Sequence, residues 1–257
     1  MAFTPRDLLY RAYARRLESE VREGESVPRH VGVILDGNRR WARAMGFTSA
    51  AAGHRRGAQK IDELVEWCQD LGIPVLTLWL LSTDNLEREP EELDELLQVI
   101  EEKVSDLAAA GRWRVRALGA LELLPERTRE VLERAASRSR DGDGPILNFA
   151  VGYGGRQEIA DATRRLLESY AAEGADLGEA AKRVTPDEIS RFLYTAGLPD
   201  PDLIIRTSGE VRLSGFLLWQ SAHSEYYFCD AYWPDFRRID FLRAVRDYQQ
   251  RHRRFGR

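Results

Sequence analysis

Asp36 closes an apolar run, Val31-Gly32-Val33-Ile34-Leu35, and is followed at once by Gly37-Asn38-Arg39-Arg40-Trp41. The run reads as a buried parallel strand, and in an open α/β sheet ligands sit at the carboxyl end of such strands. Gly37 lets the backbone approach a ligand. The amides of Gly37, Asn38 and Arg39 open a helix beside two guanidinium groups, which together suit an anion. A carboxylate in that place repels an anion on its own. It makes chemical sense if Asp36 holds a divalent cation or meets a cationic intermediate. The same spacing suits a plain strand-to-helix turn with Asp36 as N-cap, and on this segment alone the two readings stand level.

Three further strand ends carry polar groups of the same kind. Val75–Leu81 runs into Ser82-Thr83-Asp84-Asn85 and Arg88, and Leu147–Val151 into Gly154-Gly155-Arg156. Asp202–Arg206 runs into Arg212 and Ser214, and Glu225 supplies a second carboxylate further on. A parallel sheet brings such ends to one rim. Taken singly, each arginine reads as a solvated surface side chain. Taken together, arginines, hydroxyls, glycines and two carboxylates suit a ligand with two multiply charged anionic groups and a divalent ion. Asp141-Gly142-Asp143-Gly144 lacks the length and later ligands of a calcium loop and reads as a surface turn. The glycines before Arg156 lack both the P-loop lysine and the dinucleotide spacing.

The elements that must hold these groups alternate. Strands at Val31–Leu35, Val75–Leu81, Trp113–Leu118, Leu147–Val151, Asp202–Arg206 and Phe216–Trp219 are separated by amphipathic or connecting helical stretches. That pattern predicts one α/β domain over residues 1–257, with a mainly parallel six-stranded sheet flanked by helices. Residues 1–27 form an N-terminal helix and linker; Thr4 caps that helix, and Leu9, Tyr13, Leu17 and Val21 form its stripe. Phe47–Gly53 is small and reads as a mobile flap. A net charge of −4 argues against a general nucleic-acid binder. No apolar run approaches the roughly 20 residues of a spanning helix. Cys68 and Cys229 lie far apart with no cleavable hydrophobic leader ahead of them, so reduced cysteines and a cytoplasmic setting are expected. The strand Val75–Leu81 and the helix Glu91–Ala110 are greasy, and a charged mouth beside a greasy wall fits an amphiphile with a diphosphate head; core packing explains the same residues.

Asp36-Gly37-Asn38-Arg39-Arg40-Trp41-Ala42, Gly53-His54, Ser82-Thr83-Asp84-Asn85, Tyr153-Gly154-Gly155-Arg156 and Arg206 through Ser214 resemble, in order, the motif set of the cis-prenyltransferases, the undecaprenyl diphosphate synthase-like family. Phe216 through Gln220, Glu225 and Trp233-Pro234-Asp235-Phe236 extend the resemblance from about residue 28 to the C-terminus. The resemblance implies condensation of isopentenyl diphosphate with an allylic diphosphate to form a Z double bond, and a hydrophobic tunnel beside the sheet. It implies that Asp36 and Glu225 hold Mg2+, and that Asp36 and Asn85 are catalytic, with Ser82 aiding the final proton loss. Gly37, Asn38, Arg39 and Arg40 would hold the allylic diphosphate, with Trp41, His54 and Arg88 nearby. Arg206, Arg212 and Ser214 would hold isopentenyl diphosphate, and Thr83, Asp84, Leu86 and Leu213 would complete the substrate contacts. A homodimer follows from the same likeness, with transient membrane contact on product release and no spanning segment.

The chain departs from the family pattern in three places. Leu86 stands where many relatives have tryptophan, the flap lacks the usual arginine, and Leu80 replaces a small residue near the tunnel of long-chain relatives. If Leu80 points inward it fills the space of a growing tail, as in short-chain members that make (2Z,6E)-farnesyl diphosphate from geranyl diphosphate; if it faces a helix it is ordinary core. Rival readings are a long-chain polyprenyl diphosphate synthase and a non-catalytic partner subunit, the latter disfavoured because Asp36 and Asn85 are both present. A phosphatase with a strand-end nucleophile needs a second acid where Asn38 stands.

Overall fold

The computed structural model describes residues 5–24 and 26–255, with side chains described within 12–251. Thr4 and the side chain of Leu9, expected in the cap and stripe of the first helix, lie outside the described residues. The elements are α1 (Pro5–Arg22), β1 (His30–Ile34), α2 (Asn38–Ala44), α3 (Ala51–Asp70), β2 (Val75–Ser82), α4 (Pro90–Ala109), β3 (Arg114–Leu118), α5 (Glu126–Ser139), β4 (Ile146–Tyr153), α6 (Gly155–Ala172), α7 (Leu177–Arg183), α8 (Pro186–Ser190), β5 (Leu203–Arg206), β6 (Glu225–Phe228) and α9 (Arg238–Phe255). The strands form one six-stranded sheet in the order β3-β4-β2-β1-β5-β6, with β1–β5, β5–β6 and β3–β4 running parallel. This is the expected α/β architecture. Strands β1 and β5 are buried along their whole length, as befits a parallel sheet covered on both faces, whereas the edge strand β6 is only half-buried.

One expected strand is absent. Phe216–Trp219 is a run of turns in which Leu217 adopts φ 43°, and the sixth strand is instead the aromatic segment Glu225–Phe228. Phe216 and Leu217 are apolar because they are fully buried, not because they extend a ladder. A short apolar run does not distinguish those two causes.

Contacts group the chain into two compact units. The first takes the chain up to Leu76, Pro201–Val211 and everything from His223 on; the second takes Thr77–Asp200 and Arg212–Ala222. In the first unit α1 packs on α9, burying Leu17 and Val21, and Gln249 Nε2 donates to the carbonyls of Val21 at 3.0 Å and Ser26 at 2.9 Å. Trp67 of α3 meets the rings of Phe236 and of Phe241 on α9, which ties α3 to the C-terminal segment. In the second unit α4 packs on α5, and buried Glu101 accepts from Thr128 Oγ1 at 2.7 Å. β3 and β4 pair over the full length of β3.

Candidate active site

In the first unit the turn after β1 meets the segment after β5. Asp36 lies two residues beyond Ile34, and Ile34 is in register with Arg206. Arg206 Nη2 donates to Asp36 Oδ2 at 2.9 Å, and Arg40 Nη2 donates to Asp36 Oδ1 at 3.2 Å. Arg40 also donates to Ser208 Oγ at 2.6 Å and to Glu210 Oε1 at 3.1 Å, and its guanidinium lies 5.7 Å from the centre of the Tyr232 ring. Burial alone would raise the Asp36 carboxyl. The hydrogen bond and charge of Arg206, helped by Ser208 and Arg40, outweigh burial and hold it below the usual carboxylate value.

The backbone beneath this cluster is built for close approach. Asp36 is not the cap of α2: Gly37 takes that position at φ 105°, with no side chain capping the helix. A side chain there would meet Tyr232 Cδ1 at 2.8 Å and Ser208 Cβ at 3.0 Å, so only glycine suits both the dihedral and the space. The Asp36 carbonyl accepts from Thr207 Oγ1 at 2.7 Å and from the Trp233 amide at 3.0 Å, so main chain and side chain are pinned separately. Of the two readings left level by the sequence, the structure removes the cap.

The other expected residues of this unit divide. Asn38 turns inward: its Nδ2 donates to the Leu35 carbonyl at 3.0 Å, and a Cβ added at Gly57 of α3 would fall 2.3 Å from its Oδ1. Arg39 is exposed on α2, Trp41 stacks on Phe47 with centroids 5.9 Å apart, and His54 is buried in the first turn of α3. Glu225 does not join Asp36. It opens β6 in register with Leu203, which is itself level with Val31, so it stands at the opposite end of these strands from Asp36. Five residues of strand is about 16 Å, too far for one ion to touch both carboxylates. Arg251 Nη1 moreover donates to Glu225 Oε2 at 2.9 Å. The Glu225 half of the expected metal pair is therefore corrected.

In the second unit β2 delivers Leu80 and Ser82, both half-buried, and a single turn of 3-10 helix carries Asp84–Glu87. The Asn85 amide donates to Ser82 Oγ at 3.2 Å, and the Thr83 amide to the Tyr153 carbonyl at 3.2 Å, so the turns after β2 and β4 are tied together. Asp84 is exposed, Leu86 is half-buried, and Arg88 pairs with Glu92 at 3.1 Å. Trp79 points to the face opposite Leu80 and stacks on Phe216 at 5.2 Å. Arg212 and Ser214 are exposed, Leu213 is half-buried, and the Gly155 amide donates to the Gly215 carbonyl at 3.1 Å. Sequence reasoning assigned no role to Ser208, Glu210 and Tyr232, which complete the surroundings of Arg40. Ser208 and Glu210 carried one signal, their place in the motif after Arg206.

A parallel α/β sheet with paired arginines and an acid at the ends of adjacent strands defines an enzyme that handles anionic groups. The family model described as putative undecaprenyl diphosphate synthase matches residues 34–256, and the chain belongs to this prenyltransferase family. It is 59% identical over 248 residues to the (2Z,6E)-farnesyl diphosphate synthase of Thermobifida fusca, covering 96% of this chain and 97% of that protein. It is 55% identical over 251 residues to isoprenyl transferase 1 of Streptomyces avermitilis, covering 98% and 97%. Among solved structures it resembles lavandulyl diphosphate synthase from Lavandula x intermedia in complex with dimethylallyl diphosphate, with a TM-score of 0.81, 33% identity, and 90% and 99% of the two chains covered. Among the described residues no helix is long and apolar enough to cross a membrane.

Proposed function

We propose that this prenyltransferase condenses isopentenyl diphosphate with a short allylic diphosphate, geranyl diphosphate, to give a Z-configured short-chain product such as (2Z,6E)-farnesyl diphosphate. One observation carries the reading: Arg40 and Arg206 both donate to the single carboxylate of Asp36. In the family assignment Arg40 holds the allylic diphosphate and Arg206 the isopentenyl diphosphate, so the two anion sites adjoin where the new bond must form.

The chemistry follows from these groups. The allylic C–O bond breaks, diphosphate leaves with the electron pair, and the charge on it is met by Arg40 and the amides opening α2. The double bond of isopentenyl diphosphate supplies electrons to the allylic carbon, and a proton then leaves to set the Z double bond. Asn85 is a poor base, so it orients the proton path together with Ser82, and released diphosphate is the acceptor. Among the described residues no cluster of three or more His, Cys, Asp or Glu forms a metal cage. A magnesium ion held by one carboxylate and substrate phosphates needs no such cage, and Asp36 fits that role. When bound, the ion would stabilise charge on the leaving diphosphate. Family membership adds a homodimer and a cytoplasmic setting to the same proposal.

Mass spectrometry of products from isopentenyl diphosphate, magnesium and either geranyl or farnesyl diphosphate tests this reading. A farnesyl-length product from geranyl diphosphate is expected, with lengthening in Leu80→Ala. Absence of any product overturns prenyl transfer, and a much longer product from the unaltered chain overturns the short-chain assignment.

A further inference from the structure

The turn Asp36–Gly37 after β1 and the turn Thr207–Gly209 after β5 are clasped by one segment, Cys229–Trp233, which follows β6. All of these residues belong to the first unit. The Ser208 amide donates to the Ala231 carbonyl at 2.7 Å, the Gly209 amide to the Cys229 carbonyl at 2.9 Å, and the Trp233 amide to the Asp36 carbonyl at 3.0 Å. Trp233 anchors the segment, because its buried Nε1 donates to the Gly57 carbonyl at 2.8 Å. Ser208 keeps a left-handed backbone, φ 78°, which a residue with a side chain holds only where its surroundings impose it. Tyr232 stands in this clasp between two fixed neighbours.

The half-buried Tyr232 side chain meets two groups at once. A Cβ added at Gly37 would fall 2.8 Å from Tyr232 Cδ1 and 3.1 Å from its Cα, so the ring lies directly on the glycine whose amide opens the anion site. The ring centre also lies 5.7 Å from the Arg40 guanidinium, within range of a cation–π attraction. The other partners of Arg40, namely Asp36, Ser208 and Glu210, occupy its N–H donors. An arriving diphosphate needs those same donors and must displace the acceptors that hold them. The ring uses none of the donors. It is therefore the one of these contacts that Arg40 keeps while phosphate oxygens replace the rest.

We infer that Tyr232 is a positioning residue for the allylic diphosphate: its ring backs the Gly37 turn and holds the Arg40 guanidinium in place while Arg40 exchanges carboxylate for phosphate. This rests on the assignment of Gly37 and Arg40 to that diphosphate. Arg206, assigned to isopentenyl diphosphate, is held through β5, where its carbonyl accepts from the Cys229 amide at 2.8 Å. Its main chain keeps that hold when the Tyr232 ring is removed.

The test is steady-state kinetics of the full chain with each substrate varied in turn. Tyr232→Leu keeps an apolar side chain but removes the ring, and Tyr232→Phe keeps the ring but removes the hydroxyl. Tyr232→Leu should raise KM for the allylic diphosphate about fivefold, the scale of a lost cation–π contact, while KM for isopentenyl diphosphate stays within about twofold. Tyr232→Phe should leave both KM values within about twofold, a rescue that only the ring explains. An allylic KM that stays put in Tyr232→Leu, both KM values rising together, or Tyr232→Phe matching Tyr232→Leu overturns the inference. Should Tyr232→Leu fail to fold, Tyr232→Met decides by the same criteria, since it too has apolar bulk without a ring. An unaltered chain that forms no product overturns prenyl transfer and this inference with it; an active chain whose ringless variant behaves like the unaltered one overturns only the role of Tyr232.

Discussion

Asp36 and Glu158 both follow parallel strands, and the protein treats their charges in opposite ways. The Asp36 side chain is 27% exposed and is met by two guanidinium groups. Glu158 is fully buried and is met by a phenol, a side-chain amide and a backbone amide. Burial raises the Glu158 carboxyl and the neutral donors offset this only in part, whereas the arginines carry Asp36 the other way. Burial and the neighbouring Glu158 also push the Tyr153 hydroxyl well above its usual value, so it stays a donor. Arginines on flexible stems can leave a carboxylate for an arriving phosphate. Neutral donors fixed in a core cannot leave without being orphaned. The first arrangement exchanges partners with a ligand; the second holds a shape.

Asp36→Asn should break the first arrangement in function. The substitution keeps size and one acceptor but removes the charge, and turnover should fall at least about 100-fold, the scale of losing one group that stabilises developing charge. Melting temperature should move by only a few degrees, because Arg40 keeps Ser208 and Glu210. A variant with near-normal turnover would make Asp36 a structural acid after all. Glu158→Ala should show the reverse balance. Two buried donors and the half-buried Tyr194 amide lose their acceptor at about 1 kcal/mol each, so a loss of about 3 kcal/mol is expected. Calorimetry should record a fall of roughly 6–12 °C. An unchanged melting temperature would show that water replaces the carboxylate and that the network holds nothing.

This contrast was only half legible in the sequence. The Asp36 turn marks itself as a candidate, because an acid, a glycine and two arginines at a strand end suit an ion site as well as they suit a capped turn. Its partners Arg206 and Ser208 come about 170 residues later, brought near by the pairing of β1 with β5, which no local pattern encodes. Glu158 gave no signal at all: on an amphipathic helix one more acid reads as a solvated face, and only the packing of Gln220 and Tyr194 onto it reveals burial. Phe216–Trp219 reads as a strand because core burial and strand burial leave the same apolar run. Family resemblance puts Glu225 with Asp36, whereas the strand register of one chain sets it at the far end.

Acid titration sharpens the comparison with the smallest signal. Asp36, held below the usual carboxylate value, contributes stability that is present above that value and is lost as pH falls through the lowered one. Glu158, held above it, takes up its proton in the folded chain before the unfolded one does. Its contribution therefore falls as pH rises from the usual carboxylate range through the raised value. Melting temperatures recorded in steps from about pH 3 to about pH 7 should accordingly diverge in opposite directions. Asp36→Asn should lose less on the acid side than the unaltered chain, by a modest margin because the Asp36 carboxylate is partly screened by solvent. Glu158→Gln should lose less than the unaltered chain as pH rises just above the carboxylate range. Parallel curves for all three proteins would mean that neither environment differs between folded and unfolded chains, and the distinction between an exchanging and a fixed carboxylate would fail.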